Sequence, residues 1–376
     1  MAEPVNRDGG LGELALLFLR LGTIGFGGPV AHIALMEEEV VRRRGWLARD
    51  EFLDLVGAVN LLPGPNSTEL AIHIGRHRAG VPGLIVAGVC FILPAAVMVL
   101  ACAWAYRRYG QVPRIVVVRN GVKPVVVAIV LTAMVGFART TLRGPRLALV
   151  AVGAAVLSAL GVHELVILLG AGLAIMLTRP GAGAPPSAPI VAALAPCWLG
   201  FPDVSGPTIA GLFGFFLKVG SVLFGSGYVL LAFLRSGLVE RHGWLTETQL
   251  LDAVAVGQVT PGPVFTTATF VGYLLAGLPG GLAATIGIFL PAFLLVGISG
   301  RLLPRLTALP WARGFLDGVV AGSLGLLALV TWQLGRAAID GWGAALVAVA
   351  ALALLAIGVN STWLILGAAG LGALFR

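Results

Sequence analysis

The chain has 376 residues, 58% of them hydrophobic and only 11% charged, with a net charge of +8. A soluble domain carries about 25% charged residues. This chain therefore lacks the polar surface to face water all round, and its mean hydropathy of +0.97 reads as an all-α integral membrane protein. The arginines stand in clusters between apolar runs (Arg42, Arg43 and Arg44; Arg107 and Arg108; Arg301 and Arg305), as in loops that hold an orientation in the bilayer, so the basic charge needs no nucleic-acid partner. Three cysteines without a C-x-x-C pair imply neither a disulfide framework nor a metal site. No phosphate-binding loop, dinucleotide loop or catalytic triad is present, which leaves no cofactor and no enzymatic reading.

In chain order, Met1 to Gly10 is polar and lacks the features of a cleaved signal, so the first membrane helix is expected to act as its own insertion signal. That helix is predicted from Leu11 to about Met36, broken by Gly25-Phe26-Gly27-Gly28-Pro29. Glu37 to Arg49 is charged and interfacial, with Trp46 at belt level. Two short helices, about Asp50–Leu62 and Asn66–Arg76, meet at Pro63-Gly64-Pro65. Each is too short to span at about 1.5 Å per residue, so they form either a re-entrant hairpin or one kinked crossing. Leu84–Trp104 and Val116–Phe137 are full spans, and Leu147–Leu160 and Glu164–Leu177 are shorter ones around Gly161-Val162-His163.

The plan then repeats. Phe18 to Pro65 aligns without gaps to Phe216 to Pro263, with glycine, tryptophan and proline in one register: Gly22 with Gly220, Phe26-Gly27 with Phe224-Gly225, Gly45-Trp46-Leu47 with Gly243-Trp244-Leu245, Asp54 with Asp252, and the two PGP triplets with each other. A one-residue deletion follows, Phe91–Ala95 aligning with Phe289–Ala292. The expected halves are 1–178 and 207–376, joined by a Gly/Pro/Ala-rich linker, 179–206. A re-entrant PGP segment gives five crossings per half and inverted halves; a crossing one gives six and parallel halves, which the arginine and lysine count favours slightly.

The PGP breaks carry the chemistry. Proline removes a backbone donor and breaks a helix, and irregular backbone at membrane depth survives only inside protein or beside a watery cavity. Asn66, Ser67 and Thr68 follow Pro65, and Thr266 and Thr267 follow Pro263. These are helix N-termini lined with hydroxyls, suited to an anion, although capping alone also explains them. Arg20 and Lys218 occupy equivalent places in apolar sequence; they either snorkel to an interface or balance a doubly charged anion. Glu69 and His73 lie four apart on one helix face and form either a proton-coupling pair or a salt bridge. Their aligned counterparts, Thr267 and Val271, do not ionise. Asp54 and Asp252 read as interfacial or helix-pairing residues.

Phe26-Gly27-Gly28-Pro29, Gly45-Trp46-Leu47 and Leu62-Pro63-Gly64-Pro65-Asn66-Ser67, with their repeats Phe224-Gly225-Ser226, Gly243-Trp244-Leu245 and Thr260-Pro261-Gly262-Pro263, resemble the chromate ion transporter family over nearly the whole chain. The resemblance implies chromate efflux across the bacterial inner membrane, with sulfate as a related substrate or competitor, and halves in opposite orientation, which selects the re-entrant version. The expected binding set is Arg20, Phe26, Gly27, Gly28, Pro63, Gly64, Pro65, Asn66, Ser67, Thr68, Lys218, Gly225, Ser226, Pro261, Gly262, Pro263 and Thr266. The second copy has Val264-Phe265 where the first has Asn66-Ser67, so the polar part of the site falls mainly to the first half. A sulfate importer or exchanger, and a non-transporting scaffold or channel subunit, are the rival readings. The lipid bilayer is the surrounding partner, and a homodimer stays open.

Overall fold

A computed structural model describes residues 10–59, 62–178, 206–307 and 310–374, and these are helical with short connections. The elements are α1 (Leu11–Ile24), α2 (Gly28–Met36, continued by a π-helical turn Glu37–Arg43), α3 (Arg49–Val59), α4 (Asn66–Tyr109), α5 (Pro113–Thr141), α6 (Pro145–Ala159) and α7 (Glu164–Thr178). The second half follows the same order: α8 (Ile209–Val222), α9 (Leu230–Leu234, continued by a π-helical turn Arg235–Arg241), α10 (Glu247–Val259), α11 (Thr267–Thr307), α12 (Pro310–Ala338), α13 (Trp342–Ala356) and α14 (Ser361–Leu374).

The first apolar segment does not cross as one helix. α1 has 14 residues, about 21 Å, and the chain folds back at Phe26–Gly28. Arg20 meets Glu39 at 3.7 Å and Glu13 meets Arg44 at 3.5 Å. Those pairs step in opposite directions along the chain, so α1 and α2 are antiparallel arms of a hairpin that opens at one face. The expected span Leu11–Met36 is thus corrected to two half-depth arms. Positive φ at Gly27 and Gly28 turns the chain where a helix would have continued.

α3 and the start of α4 form a second hairpin with the PGP triplet at its tip. The Arg78 guanidinium stacks 4.9 Å over Trp46, which brings the far ends of both arms to the same face. α4 then reverses at Ala79–Gly80, where Gly80 takes φ 62° and ψ −144°, a conformation close to glycine-only. This divides α4 into α4a (66–78) and α4b (81–109). Gly75 and Gly83 face each other so closely that a Cβ on either would collide with the other's carbonyl. α11 repeats the device at Ala276–Gly277, where Gly277 has φ 64°, and at Gly272 against Gly280, giving α11a (267–275) and α11b (278–307).

This geometry also moves the deletion between the repeats. Gly22 packs on the Phe91 carbonyl, and Gly220 on the Ile288 carbonyl. The register has therefore already changed before Phe91, and the lost residue falls just after Pro263. There the first turn tightens into the 3₁₀ segment Val264–Thr266.

Among the described residues, four segments are long and apolar enough to span a bilayer: Asn66–Tyr109, Ile115–Thr141, Val264–Ile298 and Trp311–Ala338. The equivalent helices α4b and α11b are antiparallel. Gly88 lies against Phe293, Gly281 against Leu100 and Gly277 near Arg107. A two-fold axis along the membrane normal would leave equivalent spans parallel, so the axis lies in the membrane plane and the halves are inverted.

The long spans of each half are α4b and α5, then α11b and α12. α6 and α7 form a third hairpin whose base is closed by Arg146 Nη1 donating to the Thr178 carbonyl at 2.8 Å. The described part of each half thus returns to the face it began on, which corrects the expectation of five crossings. Thr178 and Thr208 lie at opposite faces, and the linker expected at 179–206 lies outside the described residues except for Gly206. The halves interlock reciprocally: Gly121 packs on the Ala368 carbonyl, and its equivalent Gly318 packs on the carbonyl of Ala171, the equivalent of Ala368.

Candidate functional site

The four breaks in the half-depth hairpins meet at the centre of the molecule. The Gly64 N–H donates to the Leu223 carbonyl at 2.8 Å, and the Gly262 N–H donates to the Gly25 carbonyl at 2.8 Å. Gly64 and Gly262 are equivalent, as are Gly25 and Leu223, so each PGP tip docks on the broken first helix of the other half. Gly64 has φ 140° and Gly262 φ 94°. A Cβ on Gly262 would lie 2.7 Å from the Ala95 Cβ, and one on Gly64 3.7 Å from that of Ala292. Ala95 is at the middle of α4b, which is about 43 Å long, so the tips sit near the bilayer midplane.

Pro65, Ser67, Pro261, Gly262, Pro263 and Thr266 are buried, whereas Pro63 and Asn66 are half-buried. The tips are enclosed in protein in this conformation. Helices α2 and α4a begin at the centre and point their first-turn N–H groups at it; those of Thr68 and Glu69 both close onto the Pro65 carbonyl.

The halves differ chemically here. In the second, the Thr266 hydroxyl donates to the Pro263 carbonyl and that of Thr267 to the Val264 carbonyl, both at 2.8 Å. In the first, Thr68 Oγ1 and both carboxylate oxygens of Glu69 are buried with no hydrogen-bond partner among the described residues. Glu69 is 0% exposed, and a Cβ on Gly64 would lie 2.5 Å from its Oε1. Glu69 and His73 form no salt bridge, and His73 Nε2 is also without a partner. With the corrected register their counterparts are Thr266 and Phe270, which do not ionise either.

The remaining expected residues divide. Gly27, Gly28, Gly225 and Ser226 lie in the two first-helix breaks; Ser226 Oγ accepts from the Tyr228 N–H at 3.4 Å. Phe26, beside them, is 40% exposed. Arg20 is not brought to the tips. Its side chain is 55% exposed and pairs with Glu39, which Arg43 and Arg44 also bind. Lys218 is half-buried and its charge is felt by His163. Asp54 is exposed, while Asp252 is an inter-half anchor, accepting from the Tyr106 hydroxyl at 2.8 Å and pairing with Arg119 at 3.3 Å.

The sequence reading missed three polar groups around the tips, His32 and Gln258 buried and Tyr228 half-buried. His32 is 1% exposed and bonds the Gly25 carbonyl through Nε2 at 2.9 Å, bracing the first break. The Tyr228 hydroxyl bonds Gln258 Oε1 at 3.2 Å, and Thr362 Oγ1 reaches the Gln258 carbonyl at 3.5 Å. The aligned partners of His32 and Tyr228 are Leu230 and Val30, so a search for repeated polar positions passes over them. Among the described residues no group of His, Cys, Asp and Glu has the geometry of a metal site.

The family model described as "Chromate transporter" matches residues 12–176 and 210–373. The chain is 33% identical over 367 residues to a chromate transport protein of Cupriavidus metallidurans, covering 92% of this chain and 88% of that protein. It is 32% identical over 337 residues to a probable chromate transport protein of Synechococcus elongatus, covering 87% and 85%. It is also 32% identical over 338 residues to a chromate transport protein of Pseudomonas aeruginosa, covering 86% and 81%. No solved structure matches.

Proposed function

The chain belongs to the chromate transporter family, and we propose that it carries chromate out of the bacterial cytoplasm across the inner membrane, binding the dianion among the four helix breaks by alternating access. The observation that carries this reading is the reciprocal docking of Gly64 on Leu223 and Gly262 on Gly25 at mid-depth. Two equivalent latches related by an in-plane two-fold can open one at a time, each toward its own face. Opening a latch breaks one backbone hydrogen bond, worth about 1 kcal/mol net where its donor finds another acceptor, together with the packing of the tip on Ala95 or Ala292.

Helix N-termini and backbone amides suit a tetrahedral oxyanion. Asn66, Ser67 and Thr68 supply donors, Thr266 lines the second tip with its hydroxyl turned onto the Pro263 carbonyl, and Gly27, Gly28 and Gly225 let backbone approach the ligand. Lys218 acts as a charged group on the approach from its face, and Arg20 attracts anions at the mouth of the other. Energetics favour efflux: one charge crossing about 100 mV is worth about 2.3 kcal/mol, and a dianion leaving a negative interior gains about twice that.

Tracer chromate flux in proteoliposomes with an imposed potential tests the proposal. Saturable chromate movement toward the positive side, competed by sulfate, is expected. Accumulation of either anion against the potential would favour a coupled importer, and no flux at all would favour a scaffold.

A further inference from the structure

Glu69 has no place in a simple anion site. It lies one turn into α4a, pointing back at the PGP backbone, fully buried and without a hydrogen-bond partner among the described residues. A buried ionised carboxylate is strongly disfavoured unless it is paired. The positive pole of its own helix is the favourable field at hand, and that pole is also where the transported dianion is placed. Two negative groups cannot share one such pole at contact distance in a dry interior.

We propose that Glu69 is a tethered competitor of the transported oxyanion: its carboxylate lies in the field of the helix terminus, beside Gly64, when the site is empty and takes up one proton when the oxyanion takes its place. This rests on the anion site described above and adds its coupling. Anion and proton then travel together, and the net charge moved per chromate falls from two to one. Outward movement remains driven by an inside-negative potential.

The titratable groups of α1 and α2, which pack on α4a, are engaged elsewhere: Glu13 with Arg44, Arg20 with Glu39, and His32 through Nε2 with the Gly25 carbonyl. On the helix of Glu69 itself, His73 lies one turn further on, and Arg76 is engaged with the Val296 carbonyl. The second-half break presents the Leu223 carbonyl, and α11b presents Ala292, Phe293 and Val296, none of them titratable. The acidic residues of α3, Asp50, Glu51 and Asp54, are exposed toward its outer end. The second half has a threonine in the equivalent place, so the competitor is single.

The test is proton uptake by the purified full chain on adding chromate in weakly buffered detergent at pH 8 and 9, where chromate itself is a dianion, together with chromate affinity at both pH values. Wild type is expected to take up about one proton per chromate bound and to lose affinity about tenfold per pH unit. Glu69→Gln, and Glu69→Thr which copies the second half, are expected to bind chromate with no proton uptake and no pH dependence. Chromate binding to wild type without proton uptake overturns the inference and leaves the anion site standing. Uptake that survives in Glu69→Gln and disappears in His73→Gln overturns it in favour of His73. Absence of chromate binding to wild type overturns the site reading and the inference together.

Discussion

At the scale of residues, the fold depends on small side chains at a few crossings rather than on glycine in general. Gly75 and Gly83, and their equivalents Gly272 and Gly280, let two antiparallel helices touch backbone to backbone, the contact that turns one long helix into a hairpin plus a span. Gly75→Ala should therefore cost about 1–3 kcal/mol from overpacking, read as an earlier thermal unfolding midpoint and lower membrane abundance. Gly153, in α6, has open space around its Cβ position, so Gly153→Ala should leave both unchanged. Equal behaviour of the two variants would contradict the close crossing. The sequence showed the PGP and Phe-Gly breaks because they repeat. It also held the reversal at Gly80, followed two residues later by Pro82 as Gly277 is by Pro279, and the sequence reading separates Asn66–Arg76 from Leu84–Trp104 at that place. His32, Tyr228 and Gln258 were illegible because they become neighbours only through contacts between distant segments.

At the scale of elements, the departure from the sequence reading is the first segment. Hydropathy from Leu11 to Met36 is high enough for a span, and hydropathy cannot distinguish a helix that crosses from two arms that enter and return. The charged residues could have told them apart: Glu13 with Arg44 and Arg20 with Glu39 pair only if the arms are antiparallel. Single cysteines at Gly12 and Arg42, in a background lacking Cys90, Cys102 and Cys197, should react with a membrane-impermeant thiol reagent from the same side. Reaction from opposite sides would restore the through-helix. The PGP hairpin, by contrast, was one of two readings open in the sequence, and Arg78 over Trp46 selects it.

At the scale of the molecule, inversion rests on the antiparallel pair α4b and α11b. Ala48 and Thr246 are equivalent and exposed, so cysteines at the two positions should label from opposite sides of the membrane. The face of the first-half hairpins carries Arg42, Arg43, Arg44, Arg49, Arg76, Arg78, Arg139, Arg143 and Arg146 on this reading. The other carries Arg107, Arg108, Arg119, Lys123, Arg235, Arg241 and Arg336. The excess on the first face makes it cytoplasmic by the positive-inside rule, so Ala48→Cys should be the one protected from reagent outside intact cells. The repeat was plain in the sequence, whereas its inversion needed the direction of paired helices, which no local pattern records.

The central claim is that chromate passes between the paired tips. The most direct measurement is tracer chromate flux in proteoliposomes for wild type, Gly64→Val and Gly262→Val, with reconstituted protein matched by quantity and by helix content. At both positions φ is positive and the glycine lies against the other half. Flux reduced at least about tenfold in each variant, about 1.4 kcal/mol or more in the transport barrier, is expected. Wild-type flux in both would place the chromate path elsewhere in the molecule.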